Sequence, residues 1–258
     1  MTDWIEVEQA RGLPGLRLVL TAGVPGPWGE AAKGLFFAKR LAYTRVRQNL
    51  GAPNSELLAW TGHDNAPQAV VEGEPARTTS SELIFLAERL APEPALIPSD
   101  AVDRAQMFGL IFELAGENGF GWSRRLMLLD RMLSQPMYML PANHPVRTQV
   151  STLGRKYGYS AAAAAAAPAR VAEILRLFSR QLAEQQRLGR RHLVGPAFSA
   201  LDIYWAAFAA MVAAARGAVP DARGPPQRLR DRGPRAAQRL LAHRDFVYRE
   251  HLELPVRL

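Results

Sequence analysis

Apolar residues fall into two regimes along this chain. Between residues 16 and 90, short alternating runs take turns with stretches at helical spacing; beyond residue 100, helical spacing dominates. Leu16–Thr21 is apolar, bounded by glycine-bearing turns, and reads as a strand. Trp28, Ala32, Leu35 and Phe36 then recur on one helical face, predicting a helix that begins near Trp28. Leu41–Val46 is a second strand candidate, and Asn54 or Ser55 can cap a short helix through Trp60. Ala69–Val71 reads as a third strand, and Ala76–Thr78 as a short fourth after a turn at Glu72–Glu74. Thr79 and Glu82 have the spacing of a capping box and open a helix Ser80–Leu90, with Leu83, Leu86, Ala87 and Leu90 on one face.

A proline-rich stretch, Ala91 to Asp100, follows, and strand patterning largely ends there. Ala101–Asn118, Trp122–Leu133, Ala169–Arg187 and Leu201–Ala215 read as helices. Ser199 and Asp202 form a second capping box, before a run apolar on nearly all sides that predicts a buried central helix. Ala161–Ala167 is low-complexity, a neutral helix or loop filler. The expected organisation is an N-terminal extension (1–15), an α/β domain (16–92), a linker (93–100) and an all-helical domain (101–258). Within the last, residues 216–240 are rich in Arg, Pro, Gly and Ala and lack aromatics. They read as a flexible loop, or as a stretch read in a shifted frame. Asp245–Leu254 regains apolar residues and is expected to return to the core or the cleft.

Composition narrows the chemistry. The absence of cysteine excludes disulfides, zinc–thiolate sites and thiol catalysis. The net charge of +8 is local: eight arginines against two aspartates between Arg216 and Arg244 carry most of it. That stretch has no aromatic interleaving for base stacking, so a nucleic-acid partner is not expected. The start of the chain has no basic-then-apolar leader, and no run reaches the roughly 18 to 20 apolar residues that cross a bilayer. A cytoplasmic protein with no membrane partner is the expectation. The histidines at 63, 144, 192, 243 and 251 are scattered, and no metal site is expected.

The order βαβα, two short strands and α, then helices only, resembles the glutathione transferase superfamily. Ala66-Pro67 before the third strand, the Thr79 capping box and the segment His192–Ala206 carry the resemblance, which covers about residues 16–215. It implies a thioredoxin-like N-terminal domain, an all-α C-terminal domain, a homodimer, and glutathione as co-substrate or ligand with no metal. It implies a cis peptide between Ala66 and Pro67, exposing the Ala66 backbone to the cysteinyl unit of glutathione. Thr78, Thr79 and Ser80 would hold the γ-glutamyl end, although Thr78 stands where the family usually has Glu or Gln. The turn after the first strand carries a catalytic Tyr, Ser or Cys in the family; here it reads Gly26-Pro27-Trp28-Gly29.

Two functions follow from that altered turn. Either glutathione is bound and conjugated to a small hydrophobic electrophile, as in detoxifying transferases, or the fold serves non-catalytic binding or protein interaction. In the first, the amides of Gly29 and Glu30 at a helix N-terminus would stabilise the thiolate, opposed by the Glu30 charge. Thr21 could supply a hydroxyl. Trp28, Glu117 and Trp122 are the candidates for a co-substrate pocket. Glu113 and Glu117, one helical turn apart and followed by Trp122, Arg124 and Arg125, could line that pocket, but a solvated face is the preferred reading.

Overall fold

The sheet forms where the alternation is clearest. A computed structural model describes residues 4–134, 141, 144–214 and 235–254. Its three strands are β1 (Leu16–Thr21), β2 (Thr44–Gln48) and β3 (Gln68–Val71), in the order β2-β1-β3. β1 runs parallel to β2, with Val19 opposite Val46, and antiparallel to β3, with Leu18 opposite Ala69. A strand buried on both faces needs a cover on each. Leu18 and Leu20 point into the main core with α2 (Pro27–Ala38) and α4 (Ser80–Leu90). Val19 points the other way, against Val46, Leu57 of α3 (Ser55–Thr61), and Val7 and Ala10 of α1 (Val7–Arg11).

The N-terminal segment is therefore not a bare extension. Ile5 bridges Val46, its N–H donating to the Arg45 carbonyl at 3.1 Å, and α1 closes the second face. A five-residue helix is too short to display a period, which is why the sequence hid it. β2 begins three residues later than expected, because Arg40 leaves α2 at φ 55° and Leu41 N–H closes the turn on the Phe36 carbonyl. The expected fourth strand is reduced to one bridge, Ala69 with Arg77.

The remainder is helical among the described residues: α5 (Ala101–Ala115), α6 (Phe120–Ser134), α7 (Pro145–Lys156), α8 (Ala161–Arg187), α9 (Ala200–Phe208), α10 (Ala210–Ala214) and α11 (Arg235–His251). α7 was not expected, since its sequence carries few apolar residues. α8 starts eight residues before Ala169, because Ser160 accepts from the Ala163 amide and the alanine run continues the helix. α9 is buried along its whole length. Gly34 of α2 lets it approach: a Cβ there would lie 2.6 Å from Ile203 Cγ2. Trp205 stacks on Phe178 at 5.2 Å and donates its indole N–H to the Leu240 carbonyl of α11. α11 begins at Arg235, so residues 235–240 are helix, not loop; the rest of that loop reading, 216–234, lies outside the described residues. Val247 is fully buried and Leu252 packs toward Gly34, so the C-terminal stretch does return to the core.

Asp202 joins these elements. Fully buried, it accepts from the amides of Ser199 (3.0 Å) and Leu193 (2.9 Å) and lies 3.0 Å from His243 Nε2 of α11. No helix among the described residues is long and apolar enough to cross a membrane.

Candidate functional site

At the end of β1 the chain turns through residues 22–26 into α2, and a cleft opens there. The turn residues Gly26 and Gly29, with Trp28, form one side, Ala66 and Pro67 another, and Arg125 of α6 with Lys156 and Tyr157 at the end of α7 the far wall. The Ala66–Pro67 peptide is cis, as expected. No hydrogen bond within the described residues engages the Ala66 backbone.

Gly26 caps α2 without a side chain, and Pro27 follows at its first position. Glu30 N–H already donates to the Gly26 carbonyl at 2.9 Å. The unspent amides at this helix start are thus Trp28 and Gly29, not Gly29 and Glu30. Gly29 sits close to the sheet: a Cβ there would lie 3.3 Å from Leu20. The Thr21 hydroxyl donates to Gln48 Oε1 at 2.8 Å and is committed to the strand pair. Glu30, expected to oppose a nearby anion, is matched by Lys33, whose ammonium lies 2.9 Å from both carboxylate oxygens. Below them, burial raises the phenol pKa of Tyr43 and Tyr248, and the Glu30 charge adds to each.

Trp28 is both packing and wall. Its indole N–H donates to the Ala115 carbonyl at 2.9 Å, its ring meets Phe208 edge-on at 5.1 Å, and it borders the cleft. Trp122 stands behind that wall, edge-on to Tyr157 at 4.7 Å. Glu117 is exposed and does not border the cleft; Glu113 pairs with Arg170 at 2.6 Å. Glu117 is therefore solvated, whereas Glu113 is half-buried in its ion pair.

Thr78, Thr79 and Ser80 do not border the cleft either. Thr79 caps α4, and Glu82 reaches back: one carboxylate oxygen accepts from the amides of Thr78 and Thr79, each at 2.9 Å. Those two N–H groups hold the Glu82 carboxyl below its ordinary pKa. Ser80 faces the Tyr204 hydroxyl of α9, whose pKa burial raises and the Ser80 side chain partly lowers.

Sequence reasoning missed Lys33, Arg45, Lys156 and Tyr157, which line the cleft; Arg125, one of the arginines offered for the co-substrate pocket, lines it as well. Lys33 was legible, one turn after Glu30 on the predicted helix. Lys156 was not, since only the packing of α6 and α7 brings it to Arg125.

No known family model matches the sequence, and no curated protein is recognisably similar to it. Solved structures are. A glutathione S-transferase of Methylobacillus flagellatus KT with glutathione bound superposes with a TM-score of 0.61 at 13% identity, covering 93% of this chain and 96% of its own. The chain has the glutathione S-transferase fold. A glutathione S-transferase of Xanthobacter autotrophicus Py2 matches over 95% of this chain and 96% of its own, at 15% identity and a TM-score of 0.58. The β-etherase LigF of Sphingobium sp. strain SYK-6 covers 90% and 94% at 16% identity and a TM-score of 0.59. On this glutathione S-transferase fold, the small mixed sheet with α1–α4 is the thioredoxin-like part and α5–α11 the helical part.

Proposed function

We propose that the protein binds glutathione in the cleft between the Gly26–Gly29 turn and Ala66. The observation that carries this reading is the pairing, across one cleft, of unspent amides at the start of α2 with the unengaged Ala66 backbone. Glutathione brings a peptide unit for the second and a thiol for the first, and its net negative charge suits a lining of Lys33, Arg45, Arg125 and Lys156 against Glu30. The Methylobacillus neighbour with glutathione bound adds support from the fold. If the protein is a transferase, the Trp28 and Gly29 amides take the place of a side-chain donor, stabilising the thiolate while it attacks a small electrophile.

A second reading, non-catalytic binding of another ligand or a protein partner, is favoured by Glu82. Its carboxylate already sits on the Thr78 and Thr79 amides, the place where the γ-glutamyl carboxylate would dock. Titration calorimetry with glutathione, on the wild type and on Thr79→Ala and Glu82→Gln, separates the cases. The glutathione reading expects saturable binding that Thr79→Ala weakens and Glu82→Gln strengthens. No heat at millimolar glutathione in any of the three removes it. We place the protein in the cytoplasm as a homodimer. The support for a dimer is the exposed face of Phe85, Val102 and Phe112 on α4 and α5, 55, 75 and 63% exposed, with Phe85 stacked on Phe108. Light scattering of the wild type and Phe85→Glu tests it: a dimer that becomes a monomer supports it, and a wild-type monomer rejects it.

A further inference from the structure

We propose that the far wall of the cleft, formed by Arg125 and Lys156, is an anion subsite, and that the second ligand is an apolar carboxylate rather than a neutral hydrophobic molecule. The proposal rests on the reading of this cleft as a two-ligand site and names the chemistry of the second.

The argument is a charge inventory. Five charged side chains line the cleft. Glu30 and Lys33 neutralise each other at 2.9 Å. Arg45 is buried and already engaged within the chain. That leaves Arg125 and Lys156, and neither forms an ion pair with a carboxylate among the described residues. Asp130, on the same helix as Arg125, accepts from the Tyr159 hydroxyl at 2.8 Å. The Arg125 guanidinium lies 5.7 Å from the centre of the Tyr157 ring, and its Nε is buried with no hydrogen-bond partner. A guanidinium at the cleft wall without a carboxylate partner can take one from a ligand in a charge-assisted pair.

The surroundings define the rest of the ligand. Trp28, Tyr157 and Leu153 border the same space, and the two rings are held by packing against Phe208 and Trp122. Rigid aromatic walls with a planar cationic fork at one end suit a flat apolar body bearing one carboxylate.

The test uses the full-length protein and a matched pair of probes, naphthalene-1-acetate and naphthalene-1-acetamide, followed by quenching of tryptophan fluorescence. The carboxylate is expected to bind at least about tenfold tighter than its neutral amide, with the difference shrinking as salt is raised. Arg125→Gln and Lys156→Gln, each checked for an unchanged melting temperature, should each reduce that preference, and the double substitution should abolish it. Equal binding of the two probes, binding of neither at millimolar concentration, or a preference that survives the double substitution overturns the proposal. Glutathione titrated into the same preparations keeps the two readings apart. Glutathione binding without carboxylate preference rejects the subsite alone; carboxylate preference without glutathione binding rejects the glutathione reading alone.

Discussion

Glu82 shows how one side chain can both build a helix and compete with a ligand. Its native pKa is depressed because the Thr78 and Thr79 amides donate to the carboxylate. A depressed carboxyl stabilises the fold above its unfolded pKa and loses that contribution as pH falls through the native pKa. Glu82→Gln should therefore melt below the wild type at neutral pH, with the gap closing as the solution is acidified below the ordinary carboxylate range. A gap that does not change with pH would contradict this. Asp202 is the opposite case, buried and remote from the cleft. The capping box alone suggests a loss on the order of 0.5–2 kcal/mol for Asp202→Ala. The structure adds the Leu193 amide and His243, so the expected loss is larger, about 3 kcal/mol or more. Chemical denaturation measures it; a loss under about 1 kcal/mol would mean the His243 contact contributes little.

Between elements, the contacts that shape the cleft depend on close approach. A Cβ on Gly121 of α6 would lie 2.5 Å from Phe208 and 2.9 Å from the Trp28 ring. Gly121→Ala should cost roughly 1–3 kcal/mol by overpacking and shift the tryptophan emission, since Trp28 must leave its bond to the Ala115 carbonyl. Unchanged emission and stability would mean that Trp28 is loosely held. Elements that carry their own signal were legible in the sequence: β1 by its apolar run, α2 by its stripe, α4 and α9 by their capping boxes. α1 was too short for a period, and α7 has only a narrow stripe, Val146, Val150 and Leu153, among polar residues; both form where the sheet and α6 offer a surface. The boundary of β2 was set by the turn at Arg40, which side-chain patterning does not encode.

For the molecule as a whole, half of the cleft was readable and half was not. Gly26–Gly29, Ala66 and Pro67 stand in local patterns, and these residues do meet at one cleft. The cationic wall pairs Arg125, from the stretch offered for the co-substrate pocket, with Lys156, which has no local motif; only tertiary packing brings the two together. Thr79 was identified through a motif whose hydrogen bonds turn out to be satisfied within the chain, by Glu82. Glutathione binding then depends on contact with the backbone of two separate segments. Amide chemical shifts of isotopically labelled protein, followed by NMR as glutathione is added, examine that contact at the atoms concerned. Saturable shifts at the amides of Trp28, Gly29 and Ala66, with a common Kd of about 1 mM or tighter, are the predicted result. Shifts that leave these three amides still while others move, or no shifts at all, would contradict it.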